Sequence, residues 1–251
     1  MTYCVGILVR EGLVMIADTR TNAGIDNVAT FRKLHIFERP GDRAIGIATA
    51  GNLAVSQSAL TFVGEGLRNT ETGTIETIWD MPTMFAAAQF VGRAVREARR
   101  TIGEGLEMES PSHFDVSFLL GGQRAGGRLR LFMVYAAGNF IEATPDTPYL
   151  QIGEHKYGKP ILDRSVTEKT TLNEALKLGL ISMDSTIRSN LGVGLPIDLM
   201  TIQRDAIRVE LNYRIEAAEP YFHDLRERWS AALRAAHKAI PDPPYNQPRD
   251  K

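Results

Sequence analysis

Apolar residues in the first fifty positions either alternate with polar ones or run together in short unbroken stretches, which is the spacing of strands and not of helices. Residues 3–9 and 13–19 make two such stretches, joined by Arg10, Glu11 and Gly12 as a short turn, and so predict an amino-terminal hairpin. Residues 22–30 are polar and contain glycine, and read as a loop. A second hairpin is predicted over 31–37 and 43–49, with Pro40, Gly41 and Asp42 supplying the turn chemistry. The spacing then changes to three and four. It predicts a helix over 52–69 with Asn52 as N-cap and Val55, Leu60 and Val63 on the apolar side. A longer helix opens at Pro82, with Met84, Phe85, Ala88, Val91, Val95 and Ile102 inward and Arg93, Arg96, Arg99 and Arg100 outward.

Strands return at 113–120 and 128–136, flanking a glycine-rich connection over 121–127, and two short strands follow at 139–143 and 149–152. A turn and helix begin at 153–158. The next helix covers 172–191, with Ala175, Leu176, Leu180 and Met183 on its buried side and Gly179 on the same face, where a neighbour can pack closely. A closing hairpin (197–203 and 206–215) precedes a last helix from Pro220 to about 240, carrying Leu225, Trp229, Leu233 and Ala236 on one face. The proline-rich stretch after it can form neither helix nor central strand. An order of strands, two helices, strands, helices, strands and helix is satisfied by an α+β fold, a four-layer α-β-β-α sandwich of two antiparallel sheets flanked by helices. One domain over 1–240 and a tail over 241–251 are expected.

Composition narrows the function classes. The 251 residues suffice to bury a full core, and 29 basic against 30 acidic residues with no long basic block argue against nucleic acid as the main partner. The arginines of the second helix read as a solvated face. The longest apolar runs are strand-sized and the first ten residues lack a signal-peptide core, so no membrane partner is expected and the cytoplasm is the expected compartment. Cys4 is the single cysteine; it cannot form an internal disulfide and reads as packing. The five histidines show no metal-ligand spacing, so the expected chemistry uses neither a metal nor a cofactor.

Candidate chemistry concentrates at the amino terminus. Removal of Met1 makes Thr2 the terminus, and one residue then carries a hydroxyl nucleophile and a free α-amine. With an ordinary pKa of roughly 7.7–8.0, that amine is partly neutral at physiological pH and can take the hydroxyl proton without a histidine. Asp18 closes an apolar run in which an unpaired carboxylate would be costly. Alternation over 31–37 puts Lys33 on the side of Phe31, His35 and Phe37, opposite Leu34 and Ile36, as a plausible buried partner for Asp18. Such an ammonium beside Thr2 favours its alkoxide. Gly51 follows Ala50 where a strand gives way to a helix, a place for a backbone amide to face a nascent anion. Each residue alone has a bland explanation as a common second residue, a structural ion pair or a turn. Together, in this order, they point to a hydrolase-type site.

Thr2, Asp18 with Thr19 and Arg20, Gly24, Lys33 and the Ala50–Gly51 turn resemble the proteasome-type N-terminal nucleophile hydrolases. The first six residues, the stretch 17–24 and the stretch 188–198 are more similar to a bacterial proteasome homologue than to the proteasome β subunits. The resemblance covers nearly the whole chain and implies the same sandwich, a threonine peptidase or amidohydrolase, and self-association into homo-oligomers of open or spiral form. It also implies a cleft bordered by Arg20, Thr21 and Asn22, where an extended peptide or amide substrate pairs as an added strand. An ATPase partner is left undetermined. The chain departs from the family pattern at Glu154, where a small hydroxyl is usual, and over 188–194, where Ser189 or Asn190 stands near an expected aspartate and one of 192–194 near an expected serine. Those departures keep one alternative open, a structural or binding assembly with little activity; a second, an amidohydrolase acting on small-molecule or isopeptide amides, stays open because the same nucleophile chemistry serves many amides.

Overall fold

Strands that are apolar on both faces need cover on both faces, and the order of layers follows from them. The computed structural model describes residues 1–22, 28–103 and 114–246. The chain divides into two compact units, 1–217 and 218–251, a division that falls ahead of the 240 boundary read from the sequence. In chain order the first unit contains β1 (Tyr3–Leu8), β2 (Gly12–Asp18), β3 (Arg20–Asn22), β4 (Val28–Thr30), β5 (Leu34–Arg39), β6 (Arg43–Gly51) and α1 (Leu53–Glu65). There follow β7 (Leu67–Arg68), β8 (Ile75–Glu76), α2 (Met84–Gly103), β9 (Val116–Arg124), β10 (Arg130–Val134), β11 (Phe140–Glu142) and β12 (Tyr149–Gly153). The unit ends with α3 (Lys159–Ser165), α4 (Leu172–Ser189), β13 (Ile197–Gln203) and β14 (Leu211–Ile215).

Two five-stranded antiparallel sheets result, ordered β12-β1-β2-β13-β14 and β11-β10-β9-β6-β5. β6 shows why its sequence is apolar throughout. Ile45 and Ile47 point to α1 and α2 and pack with Val55, Phe90, Val91 and Phe118, whereas Ala44, Ala48 and Ala50 point to the other sheet and pack with Cys4, Met15, Leu131 and Met200. α4 lies on β1 and β2, with α3 beside it, and completes the fourth layer. Gly179 admits this approach, since a Cβ there would lie 2.7 Å from Ile16 Cδ1. Asn52 caps α1 by accepting the Val55 N–H through Oδ1 at 3.1 Å.

Several boundaries differ from the sequence reading, each for a physical reason. α1 stops at Glu65 because Gly66 takes φ +129°, so Leu67 enters a short strand. Residues 20–22 pair with 28–30 as two short strands, so both ends of the stretch 22–30 read as loop are strand. Gly121 and Gly122 are strand residues of β9 and not part of a connection: a Cβ on Gly121 would lie 2.7 Å from Leu13 Cδ2 of the opposite sheet, so glycine here marks close sheet packing and not a turn. The hairpin end begins only at Ala125. Arg99 of α2 does not simply face solvent, because it donates to the Phe114 and Ala136 carbonyls. His113, the expected start of the β9 strand, lies outside the described residues.

The second unit contains α5 (Pro220–Ala239). Glu219 caps it by accepting the Phe222 N–H at 2.6 Å, with Pro220 in the first turn. Among the described residues no helix is long and apolar enough to cross a membrane.

Two helix glycines give opposite expectations for the same substitution. At Gly64 of α1 an added Cβ meets only Phe37 Cε1, at 3.5 Å, so Gly64→Ala should raise stability by about 0.5–1 kcal/mol through helix propensity. At Gly92 of α2 it would lie 2.2 Å from the Gly138 carbonyl oxygen, a backbone atom that cannot step aside. Gly92→Ala should therefore lower stability by about 1–3 kcal/mol despite better propensity. Urea unfolding of both variants checks the signs; equal effects would refute the assigned α2 packing.

Candidate active site

Where β2 ends, its last residue is a fully buried carboxylate. Asp18 Oδ1 accepts the Tyr3 N–H at 3.1 Å and the Lys33 Nζ at 2.8 Å, and Oδ2 accepts the Gly194 N–H at 3.3 Å. Burial raises the Asp18 pKa, opposed by the Lys33 charge and hydrogen bond and by the two amides. Lys33 is itself only 4% exposed and also donates to the Arg20 carbonyl at 2.5 Å and the Met1 carbonyl at 3.5 Å. It lies one residue ahead of β5 and not inside a strand, where the Thr49 N–H fixes it by donating to its carbonyl at 3.0 Å.

Thr2 sits between two residues that are both tied to this ion pair: Tyr3 through its N–H, Met1 through its carbonyl. It is buried, while Met1 is 62% exposed. The Thr2 carbonyl accepts the Glu154 N–H at 2.7 Å, one step beyond the Tyr3–Gly153 pair of the β1–β12 ladder. The neighbouring Cys4 is no rival nucleophile. Burial pushes its thiol pKa far up, and its Sγ faces the Thr49 carbonyl at 3.6 Å.

Gly51 ends β6 with φ +105°, and a Cβ there would lie 2.2 Å from the Asp115 carbonyl oxygen, so only glycine fits. The direction of its amide follows from the ladder. Thr49 N–H donates toward β5, to Lys33, and Asn52 N–H donates toward β9, to Asp115. Strand alternation therefore aims the Gly51 N–H to the Lys33 side of β6, beyond the point where β5 begins.

The remaining candidates separate. Arg20 and Thr21 lie on β3, which pairs with β4 on one edge, and Asn22 closes that strand. Arg20 Nη1 donates to the Leu191 carbonyl at 3.1 Å, tying β3 to the segment after α4. Ser189 is exposed at the last residue of α4. Asn190 shapes the following loop by accepting the Gly192 N–H at 2.8 Å through Oδ1. That loop meets the site through backbone, at Gly194 with Asp18 and at Gly192 against Met1. The sequence marks Thr19 and the stretch 192–194 without showing their contacts: the buried Thr19 hydroxyl donates to the Pro196 carbonyl at 2.7 Å, and the Gly194 amide, a backbone group that any residue would carry, completes Asp18. Cavities of about 550 and 560 Å³ run along α2 and share Arg93 and Arg96; they contain none of these groups, and Arg93 is already paired with Glu76.

Two stacked antiparallel sheets between helices, with a Lys–Asp pair tied to the residues on either side of Thr2, just ahead of the first strand, define a class of N-terminal nucleophile fold. The proteasome subunit family model matches residues 2–202, and the chain belongs to that family. Within it the chain is similar to Anbu. It is 44% identical to the ancestral β-subunit Anbu of Yersinia bercovieri, covering 96% of this chain and 99% of that one with a TM-score of 0.87. It is 45% identical to the Pseudomonas aeruginosa protein solved as a helical assembly of the Anbu complex, covering 96% and 98% with a TM-score of 0.87. Proteasome subunit beta 1 of Pyrobaculum calidifontis is 24% identical over 211 residues, 81% of this chain and 91% of that protein.

The Asp18–Lys33 contact has a measurable coupling. Asp18→Ala leaves a buried ammonium without its counter-charge and should cost about 3–5 kcal/mol. Adding Lys33→Met should recover at least about 2 kcal/mol of that, read by urea unfolding of the four members of a double-mutant cycle. Strict additivity would show that the pair carries no energy.

Proposed function

We propose that the chain is a threonine-type amidohydrolase that acts on peptide or other amide bonds once Met1 has been removed. The observation that carries this reading is the bracketing of Thr2 by the Asp18–Lys33 pair, through the Tyr3 N–H on one side and the Met1 carbonyl on the other. Loss of Met1 exposes the Thr2 amine and frees the Lys33 hydrogen that pointed to the Met1 carbonyl. The amine, directly or through water, takes the Thr2 hydroxyl proton as Oγ1 attacks the amide carbon. Lys33 stabilises the developing alkoxide, and the Gly51 N–H receives the oxyanion. Collapse breaks the C–N bond. The leaving nitrogen takes its proton from the α-ammonium, and water activated by the amine then hydrolyses the Thr2 ester.

An extended substrate would pair with the edge of β3 turned away from β4, bordered by Arg20, Thr21 and Asn22. Self-assembly in an open or helical arrangement is the second part of the proposal, supported by the helical assembly of the Pseudomonas aeruginosa relative. A weakly active or structural assembly is the competing reading, favoured by the exposure of Ser189 and the lack of a side-chain donor over 192–194.

Intact mass after treatment with a β-lactone separates the two. The active reading requires one acyl adduct on a chain lacking Met1. Thr2→Ala should abolish that adduct, and Lys33→Ala should slow its formation by about 10²–10⁴-fold. A processed, assembled wild-type chain that forms no adduct would leave the structural reading standing.

A further inference from the structure

We infer that Glu154 is the positioning residue for the Thr2 α-amine, holding it as an ammonium across the end of the β1–β12 ladder; the inference rests on the proposed processing at Met1. Three observations support it. Glu154 stands against Thr2, to whose carbonyl its N–H donates at 2.7 Å, so the two residues are adjacent at the strand ends. Its Oε2 is buried yet accepts no hydrogen bond among the described residues; its ion pair with Lys156 Nζ is long, at 3.6 Å, and comes from a largely exposed side chain. A buried acceptor left in that state is costly, and it calls for a donor. Removal of Met1 creates one: a three-donor cation on the residue opposite.

The other charged groups cannot take that role. Asp18 is fully engaged, with Oδ1 accepting from Tyr3 and Lys33 and Oδ2 from Gly194. Lys33, from the segment ahead of β5, is a like charge that repels an ammonium. Arg20, from β3, has the same sign and is directed to the Leu191 carbonyl. His155 and Lys156 follow Glu154 beyond β12, with His155 Nδ1 beside the Gly153 carbonyl at 3.1 Å. The loop 190–194 brings no ionisable side chain. Among the described charged groups that contact residues 1–3 or 153–154, Glu154 is therefore the anion that remains for the new charge.

The consequence has a definite sign. A carboxylate beside an ammonium favours its protonated form, so Glu154 raises the pH at which the Thr2 amine becomes a free base, and removing its charge lowers that pH. Competitive acetylation of the processed chain across pH, read on the amino-terminal peptide by mass, titrates this amine directly and needs no turnover. Glu154→Gln should lower its midpoint by at least about one unit, a tenfold gain in free amine at a given pH, and Glu154→Asp should fall between. The alkaline-going limb of β-lactone acylation at Thr2 should move by the same amount. A Glu154→Gln midpoint within a few tenths of wild type, in protein that assembles normally, would overturn the inference; if Glu154→Gln fails to assemble, an unshifted midpoint in Glu154→Asp does the same. A wild-type chain that folds and assembles with Met1 retained also overturns it. If the amine shifts as stated but Thr2 forms no adduct at any pH, Glu154 stands and the hydrolase proposal falls.

Discussion

The amino-terminal end of the sandwich depends on a buried ion pair. Taking a carboxylate and an ammonium out of water costs several kcal/mol per ion, and an apolar pair of similar size would be cheaper to bury. The Asp18–Lys33 contact is tolerated because its remaining valences are met. Two amides complete the carboxylate, and two backbone carbonyls complete the ammonium. Since stability alone does not call for such a pair, the geometry it imposes is the more telling property. It joins the end of β2 to the start of β5 and fixes the first three residues of the chain against both.

The donors to Asp18 come from 15 and 176 residues away, so the site cannot form before the sandwich does. β2 lies between β1 and β13 in the first sheet, while Lys33 and Gly51 flank the β5–β6 edge of the second. The two sheets pack through alanines, methionines and leucines that set their spacing. Side chains held at the ends of rigid strands are positioned more closely than side chains on free loops. The same dependence makes the site sensitive to distant packing, including the glycines at which the sheets touch.

Much of this was visible in residue order alone. Asp18 and Lys33 could be paired on paper because a charge interrupting an apolar strand needs a partner, and the layer order followed from strands with two apolar faces. What stayed hidden was contact made through backbone. Nothing in the identity of Gly194 announces that its amide completes Asp18, and Ser189, which the resemblance places near an expected aspartate, lies exposed at a helix end. Glycine was also ambiguous in kind. At Gly66 and Gly51 it marks a positive φ, but at Gly121 it marks the space left by a neighbouring leucine, and a glycine-rich stretch therefore looked like a loop where the chain is a strand. The hairpin formed by β3 and β4 is not legible in the sequence because each strand is three residues long, below the length at which alternation is informative.

The departure at Glu154 bears on what kind of catalyst this is. An N-terminal nucleophile needs its amine oriented and also needs it neutral, and the two demands conflict when the orienting group is an acid. A hydroxyl can orient an amine by a hydrogen bond without favouring its ammonium. A carboxylate binds the ammonium more firmly and, by the same interaction, leaves less free base at neutral pH. Lys33 opposes this from the other side, since a second cation nearby disfavours protonation of the amine. On the proposed assignment, the working pH of Thr2 would be set by a balance between Glu154 and Lys33 across one residue. Asp18 acts on that balance indirectly, through its hold on Lys33. A chain built this way gains a firmly placed nucleophile and loses reactivity at neutral pH, which suits a hydrolase of restricted activity better than a general degradative one.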